Sequence, residues 1–178
     1  MTIAVIDTNI LLIANNEHAG VSPECVEECV RRLKEMQHDG LVVIDDGYRI
    51  LREYQNKTQP NQPKGVGDVF LKWLLRNNGN SARVAQVALT ENLHDFFSEF
   101  PDQSLQAAFD APDRKFAAVA NAHPDKPPIW QGADCKWIDW WPQLKAAGVS
   151  VEFVCPNDAR CFYTKKFPNV SVPLLPED

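Results

Sequence analysis

Two short apolar runs, each halted by an aspartate, constrain this chain more than any other feature. Ile3-Ala4-Val5-Ile6 stops at Asp7, and Leu41-Val42-Val43-Ile44 stops at Asp45-Asp46. Runs that are apolar at every position suit strands covered on both faces, as in a parallel sheet between helical layers. Between the two, Ser22-Pro23 marks a helix start, with serine as N-cap and proline at the first helical position. Val26, Cys29, Val30, Leu33 and Met36 then form one apolar face, and Gly40 closes the helix.

The same alternation continues along the chain. Ile10 to Ile13 suit the first turns of a buried helix, and Tyr48, Ile50, Leu51 and Tyr54 predict another, with Glu53 near its middle. Residues 58–68, rich in Gln, Pro, Asn and Gly, read as a surface loop. A helix over Val69–Leu75 ends at Asn77-Asn78-Gly79, Val84–Leu89 reads as strand, and Pro112-Asp113 opens a helix through Ala120. Ile129-Trp130 is a short strand before Asp134, and Val149–Val154 is the last clear one. Trp137–Ala147 has a helical pattern that Pro142 weakens. Strands alternating with helices predict an α/β fold, a three-layer α/β/α sandwich around a mostly parallel sheet of four to five strands. A chain of 178 residues fits one domain, assigned to residues 1–155. Residues 156–178 form a C-terminal extension that ends in an extended tail from Pro168.

Four acids sit where an apolar strand gives way to a loop or where a helix begins. Asp7 ends the first strand, Asp134 follows Ile129-Trp130, Asp113 lies in the first turn of its helix, and Glu53 lies on the helix after the second strand. In parallel α/β sheets the carboxyl ends of the strands line up along one edge, and ligands bind there. An unpaired acidic cluster in such a place calls for a cation, and oxygen-only ligands select a hard one, Mg²⁺ or Mn²⁺. Aspartates in these positions also cap helices and make turns, so position alone leaves the function open.

The local words around these acids narrow the choice. Ile3-Ala4-Val5-Ile6-Asp7-Thr8-Asn9-Ile10-Leu11 resembles the first motif of PIN-domain nucleases, and Arg49-Ile50-Leu51-Arg52-Glu53-Tyr54 is similar to their second. Asp113-Arg114-Lys115-Phe116-Ala117-Ala118-Val119-Ala120 resembles the third, and Ala133-Asp134 followed by Trp137 resembles the fourth. The four in order span roughly residues 1–155. The resemblance implies a Mg²⁺- or Mn²⁺-dependent endonuclease, usually acting on RNA, with Asp7, Glu53, Asp113 and Asp134 as catalytic metal ligands. It implies supporting roles for Asn9, which would orient Asp7 or a water, and for Thr8. Many relatives carry a hydroxyl residue two positions before the fourth acid and a further Asp two after it; here those positions are Gly132 and Lys136. One-metal chemistry, or a weak or silent scaffold that binds nucleic acid or protein, therefore stays open.

Further residues follow from these two readings. Lys136, Lys57 and Lys64 are candidates for phosphate contacts, as are Lys72 and Arg76. Trp130, Trp137, Trp140 and Trp141 crowd one segment that suits core packing or an interface, such as a homodimer. An inhibitory or regulatory protein partner, as in toxin–antitoxin pairs, is compatible with the family. The net charge of −6 argues against a nonspecific nucleic-acid coat but not against a nuclease, whose local field reverses once a divalent ion binds.

Other classes fit less well. A haloacid-dehalogenase-like phosphatase needs an acid two residues after the first Asp, and position 9 is Asn. A dinucleotide-binding fold needs a Gly-rich first turn, which Asp7-Thr8-Asn9-Ile10 lacks. The apolar N-terminal stretch has no basic leader and carries Asp7 in its middle, which speaks against a signal peptide or membrane span. Cys25, Cys29, Cys135, Cys155 and Cys161 form no CxxC pair; Cys25 and Cys29 read as small core residues, and zinc at Cys155 and Cys161 is a minor alternative. The expected compartment is a reducing cytoplasm.

Overall fold

The computed structural model describes all 178 residues. Its centre is a five-stranded parallel sheet in the order β3-β2-β1-β6-β7, flanked by helices as a three-layer α/β/α sandwich. The strands are β1 (Ile3–Ile6), β2 (Leu41–Asp45), β3 (Val84–Val87), β6 (Ile129–Gln131) and β7 (Val151–Phe153). In β1 and β2 the residues after the first are buried, which explains the uninterrupted apolar runs. Ile3 pairs with Leu41 in β2, while Val5 pairs with Ile129 in β6. The chain therefore leaves β1 in one direction towards β2 and β3, then returns to lay β6 and β7 on the other side. The order reverses between β1 and β6, and the crevice beyond the carboxyl ends of those two strands is the binding position for this architecture.

The helices are α1 (Thr8–Ala14), α2 (Pro23–Asp39), α3 (Arg49–Lys57), α4 (Val66–Asn77), α5 (Gln103–Gln106), α6 (Arg114–Ala122), α7 (Trp137–Ala146) and α8 (Pro156–Lys166). α2 starts as its sequence dictates: the Ser22 side chain accepts the Cys25 amide, and Cys25, Cys29, Leu33 and Met36 are buried at helical spacing. Gly40 ends it in extended backbone, not in the left-handed conformation, and the glycine is needed because a Cβ there would strike Met36. α6 lies against β1, β2 and β6. Its face of Phe116, Ala117, Val119 and Ala120 is fully buried, and the small residues allow that close approach. α7 runs through Pro142, because burial of Trp137, Ile138 and Leu144 outweighs one missing backbone bond. α8 packs onto the domain through Ala159 and Tyr163, and the extended tail is fixed by the buried Leu175. No helix is long and apolar enough to cross a membrane.

Three sequence expectations need correction. Between Leu89 and Pro112, where no element is expected, stand α5 and a hairpin of β4 (Glu91–Leu93) and β5 (Phe96–Phe97). Strands so short carry no periodic signal; Arg114 holds them, donating to the carbonyls of Phe109 and Asp95 and lying over the Phe96 ring. The loop expected over 58–68 ends earlier, because α4 already begins at Val66 and its buried Asp68 accepts the amides of Gln59, Lys64 and Gly65. Cys25 is not a free core thiol: it forms a disulfide with Cys155, with Cα atoms 5.3 Å apart, and Cys161 is exposed and unpaired. The two cysteines lie 130 residues apart, and only the meeting of the starts of α2 and α8 brings them together.

Candidate functional site

Asp7 sits at the carboxyl end of β1 and is the N-cap of α1, its side chain accepting the Asn9 amide at 2.9 Å. That is the only hydrogen bond the carboxylate accepts within the protein, although the residue is only 5% exposed. Its carboxyl is held well above the usual carboxylate range, first by burial and then by the charges of Asp113, Asp134 and Glu53. The acids singled out in sequence thus come together around Asp7, across the crevice where the strand order reverses. Asp134 follows β6, Asp113 ends a short 3-10 turn (Ala111–Asp113) before α6, and Glu53 projects from α3. Burial pushes the Asp113 carboxyl up to about 6, against the opposing pull of the Lys136 ammonium, with Asp134 adding to the rise.

Asp45, at the equivalent end of β2, provides a contrast. It is fully buried, yet its oxygens accept the amides of Arg49 and Ile50 and the Arg49 guanidinium. Its bonds are spent on starting α3. Asp7 has no comparable set of donors.

Two lysines stand among the acids. The Lys136 ammonium bonds Asp110 and lies 3.4 Å from Asp113 and 3.5 Å from Asp134. The Lys115 ammonium pairs with Glu53 and also bonds the Pro112 carbonyl. Glu53 in addition accepts the Thr8 hydroxyl, so Thr8 positions Glu53 and not Asp7. Asn9 bridges to the strand alongside: its amide group bonds Gln131, and its oxygen accepts the Gly132 amide at 2.9 Å. A Cβ at Gly132 would lie 2.6 Å from both the Asn9 oxygen and the Ile13 side chain, so the hydroxyl residue usual in the resembled family has no room. No three of the four acids bring their oxygens within 4.8 Å of one another. Their oxygen donors suit a hard divalent ion, and the Lys136 ammonium now stands between two of them, Asp113 and Asp134.

The site opens on two sides. A cavity of about 590 Å³ includes Asn9, Asp134, His18, Phe162, Lys165 and Lys166. Another, of about 450 Å³, includes Glu53, Lys115, Arg52, Asn56 and Lys57. Lys57 thus lies beside the acids, whereas Lys64 lines neither cavity, its backbone being held by Asp68. Lys136 is an internal counter-charge to the acids more than a free phosphate contact. Asp110, Arg52, Lys165 and Lys166 are site neighbours the sequence reading did not single out as functional. Of these only Asp110 carried a signal, three residues before Asp113 at the same helix start. The tryptophans resolve as packing: Phe109 stacks on Trp140 and meets Trp137 edge-on, and Trp141 donates to the Leu174 carbonyl.

No protein-family model, curated protein or solved structure matches the chain. Fold and site define an α/β protein with an acidic centre at the switch point of its sheet.

Proposed function

We propose that this protein is a Mg²⁺- or Mn²⁺-dependent endonuclease that hydrolyses phosphodiester bonds, with RNA as its substrate. The observation that carries the reading is Asp7: a buried carboxylate with one hydrogen bond, facing three other acids at the sheet's switch point. Such a group is costly unless a cation shares it. Asp7, Asp113 and Asp134 would hold the ion, with Glu53 beside them. A divalent ion bound there supplies charge neutralisation for the phosphate undergoing attack. With Asp113 and Asp134 engaged as ligands, Lys136 would keep Asp110 and could meet a phosphate oxygen. Lys115, held by Glu53 and the Pro112 carbonyl, is the cation on the opposite side. Arg52 and Lys57 in one cavity and Lys165 and Lys166 in the other make no ion pair, which favours a polyanion running across the acids.

A second reading, a silent scaffold that binds nucleic acid or protein without cutting, is favoured by the two lysines that already neutralise the cluster. Cleavage of a single-stranded RNA with Mn²⁺, beside an Asp7→Asn variant, separates the two. The nuclease reading expects a loss of at least about 100-fold in the variant, the scale on which removal of a single electrostatic catalytic group acts. Equal cleavage by both proteins means a contaminating nuclease and sinks the proposal. RNA binding with no cleavage by either supports the scaffold.

A further inference from the structure

Three of the chain's cysteines meet where α2 and α8 begin, in a cluster separate from the four acids. The sulfurs of Cys25, Cys29 and Cys155 lie within 4.8 Å of one another, and all three residues are buried. Cys161 lines the adjoining cavity of about 450 Å³, with Glu28 and Asp158. We propose that, once the Cys25–Cys155 disulfide is reduced, Cys25, Cys29 and Cys155 bind one soft divalent cation of the Zn²⁺ class.

Three features support this. First, the spacing is right: on a tetrahedral ion with metal–sulfur bonds of about 2.3 Å, two thiolates lie about 3.8 Å apart. Cys29 and Cys155 stand 3.8 Å apart, and Cys25 need only move off Cys155 to the same spacing. Second, the cluster outlasts reduction. Asp158 in the first turn of α8 accepts the Ser22 amide and hydroxyl at 2.7 and 2.8 Å, holding the two helix starts together without any sulfur bond. Third, Cys25 lies in the first turn of α2 and Cys155 is the N-cap of α8, so the positive ends of a 17-residue and an 11-residue helix offset thiolate charge. The cavity provides the path of entry, with Cys161 on its wall outside the three-sulfur group, and a water completes the ligand set. Sulfur donors select Zn²⁺-class ions and carboxylates select Mg²⁺ or Mn²⁺, so the two centres do not compete for one metal.

The chemistry balances in two steps. A thiol reductant delivers two electrons and two protons to the disulfide, giving two thiols, and is itself oxidised to a disulfide. The metal then displaces three protons from Cys25, Cys29 and Cys155 as three metal–sulfur bonds form. Oxidation and metal binding are therefore mutually exclusive ways of tying α2 to α8.

Co²⁺ is the probe of choice, because only thiolate ligation gives sulfur-to-cobalt charge-transfer absorption. The full-length protein, reduced with a phosphine that is then removed without air, is expected to bind one Co²⁺ per chain with that absorption and to yield it to Zn²⁺. The unreduced protein is expected to show none. Zn²⁺ at a hundredfold excess over Kd raises the melting temperature of the reduced protein by about 5–10 °C. Cys29→Ser and Cys25→Ser, checked for native circular dichroism, each weaken binding at least tenfold, and Cys161→Ser weakens it less. The proposal is overturned if the reduced protein shows no charge-transfer band, if well-folded Cys29→Ser binds like wild type, or if binding depends on Cys161 alone.

Discussion

Replacing Asp113 by asparagine should make the metal-free protein more stable at neutral pH, not less. The Asp113 carboxyl is pushed from its ordinary 3.8 up to about 6, first by burial and further by Asp134. A folded-state value above the unfolded one means that ionisation costs the folded protein. As pH rises past about 4 the unfolded chain loses this proton first, so stability falls until about pH 6 and then levels off. A difference of about two pH units corresponds to about 3 kcal/mol. Asparagine has the shape of the neutral acid and no charge to bury. The gap between Asp113→Asn and wild type should therefore be near zero at about pH 4 and reach about 2–3 kcal/mol at pH 7. For a chain of this length that is a rise of about 4–12 °C in melting temperature. Urea denaturation in chelator across this range reads the gap directly. Adding Mn²⁺ should narrow or reverse it, since only wild type keeps the full ligand set. Parallel pH–stability curves, or an asparagine variant that is less stable at pH 7, would refute the argument.

Two further substitutions probe the neighbours. Lys136→Gln removes the ammonium among three carboxylates; its side chain is 31% exposed, so the expected loss without metal is about 1–2 kcal/mol. Thermal scans with and without Mn²⁺ should show a larger metal-induced rise in that variant than in wild type, because no ammonium has to be displaced; an equal rise contradicts the competition. Gly132→Ala forces a Cβ to within 2.6 Å of Asn9 and Ile13 and should lower the urea midpoint by the equivalent of about 1–3 kcal/mol, while an unchanged midpoint shows that Asn9 yields freely.

What could be read from the sequence follows the range of the forces involved. β1, β2 and α2 announce themselves because burial on both faces, or on one helical face, repeats along the chain. The strand-end aspartates were legible for the same reason, since a sheet of parallel strands must align their carboxyl ends. The hairpin at Glu91–Phe97 was not legible, because its few residues are held by Arg114 and Gln106 from elsewhere. Nor were the partners of Lys115 and Lys136: long side chains reach several ångströms, and which acid they meet is settled only when α3, α6 and the β6–α7 turn have packed. The Cys25–Cys155 disulfide belongs to the same class of contact, made by two helix starts whose meeting no local pattern encodes.

The same reasoning explains why two buried aspartates at the ends of neighbouring strands lead to different conclusions. Sequence gives Asp7 and Asp45 the same setting, an apolar run followed by a helix. In the fold Asp45 accepts two amides and a guanidinium, so its charge is repaid locally and its role is to start α3. Asp7 accepts one amide and faces three acids, so its charge is left for something outside the chain. A buried carboxylate whose donors are all supplied by its own turn is architecture. One that the fold surrounds with further acids, at the point where the strand order reverses, is stable as an anion only in the company of a cation. That inequality between Asp7 and Asp45 is the physical ground for proposing a metal site at β1 and β6 rather than at β2.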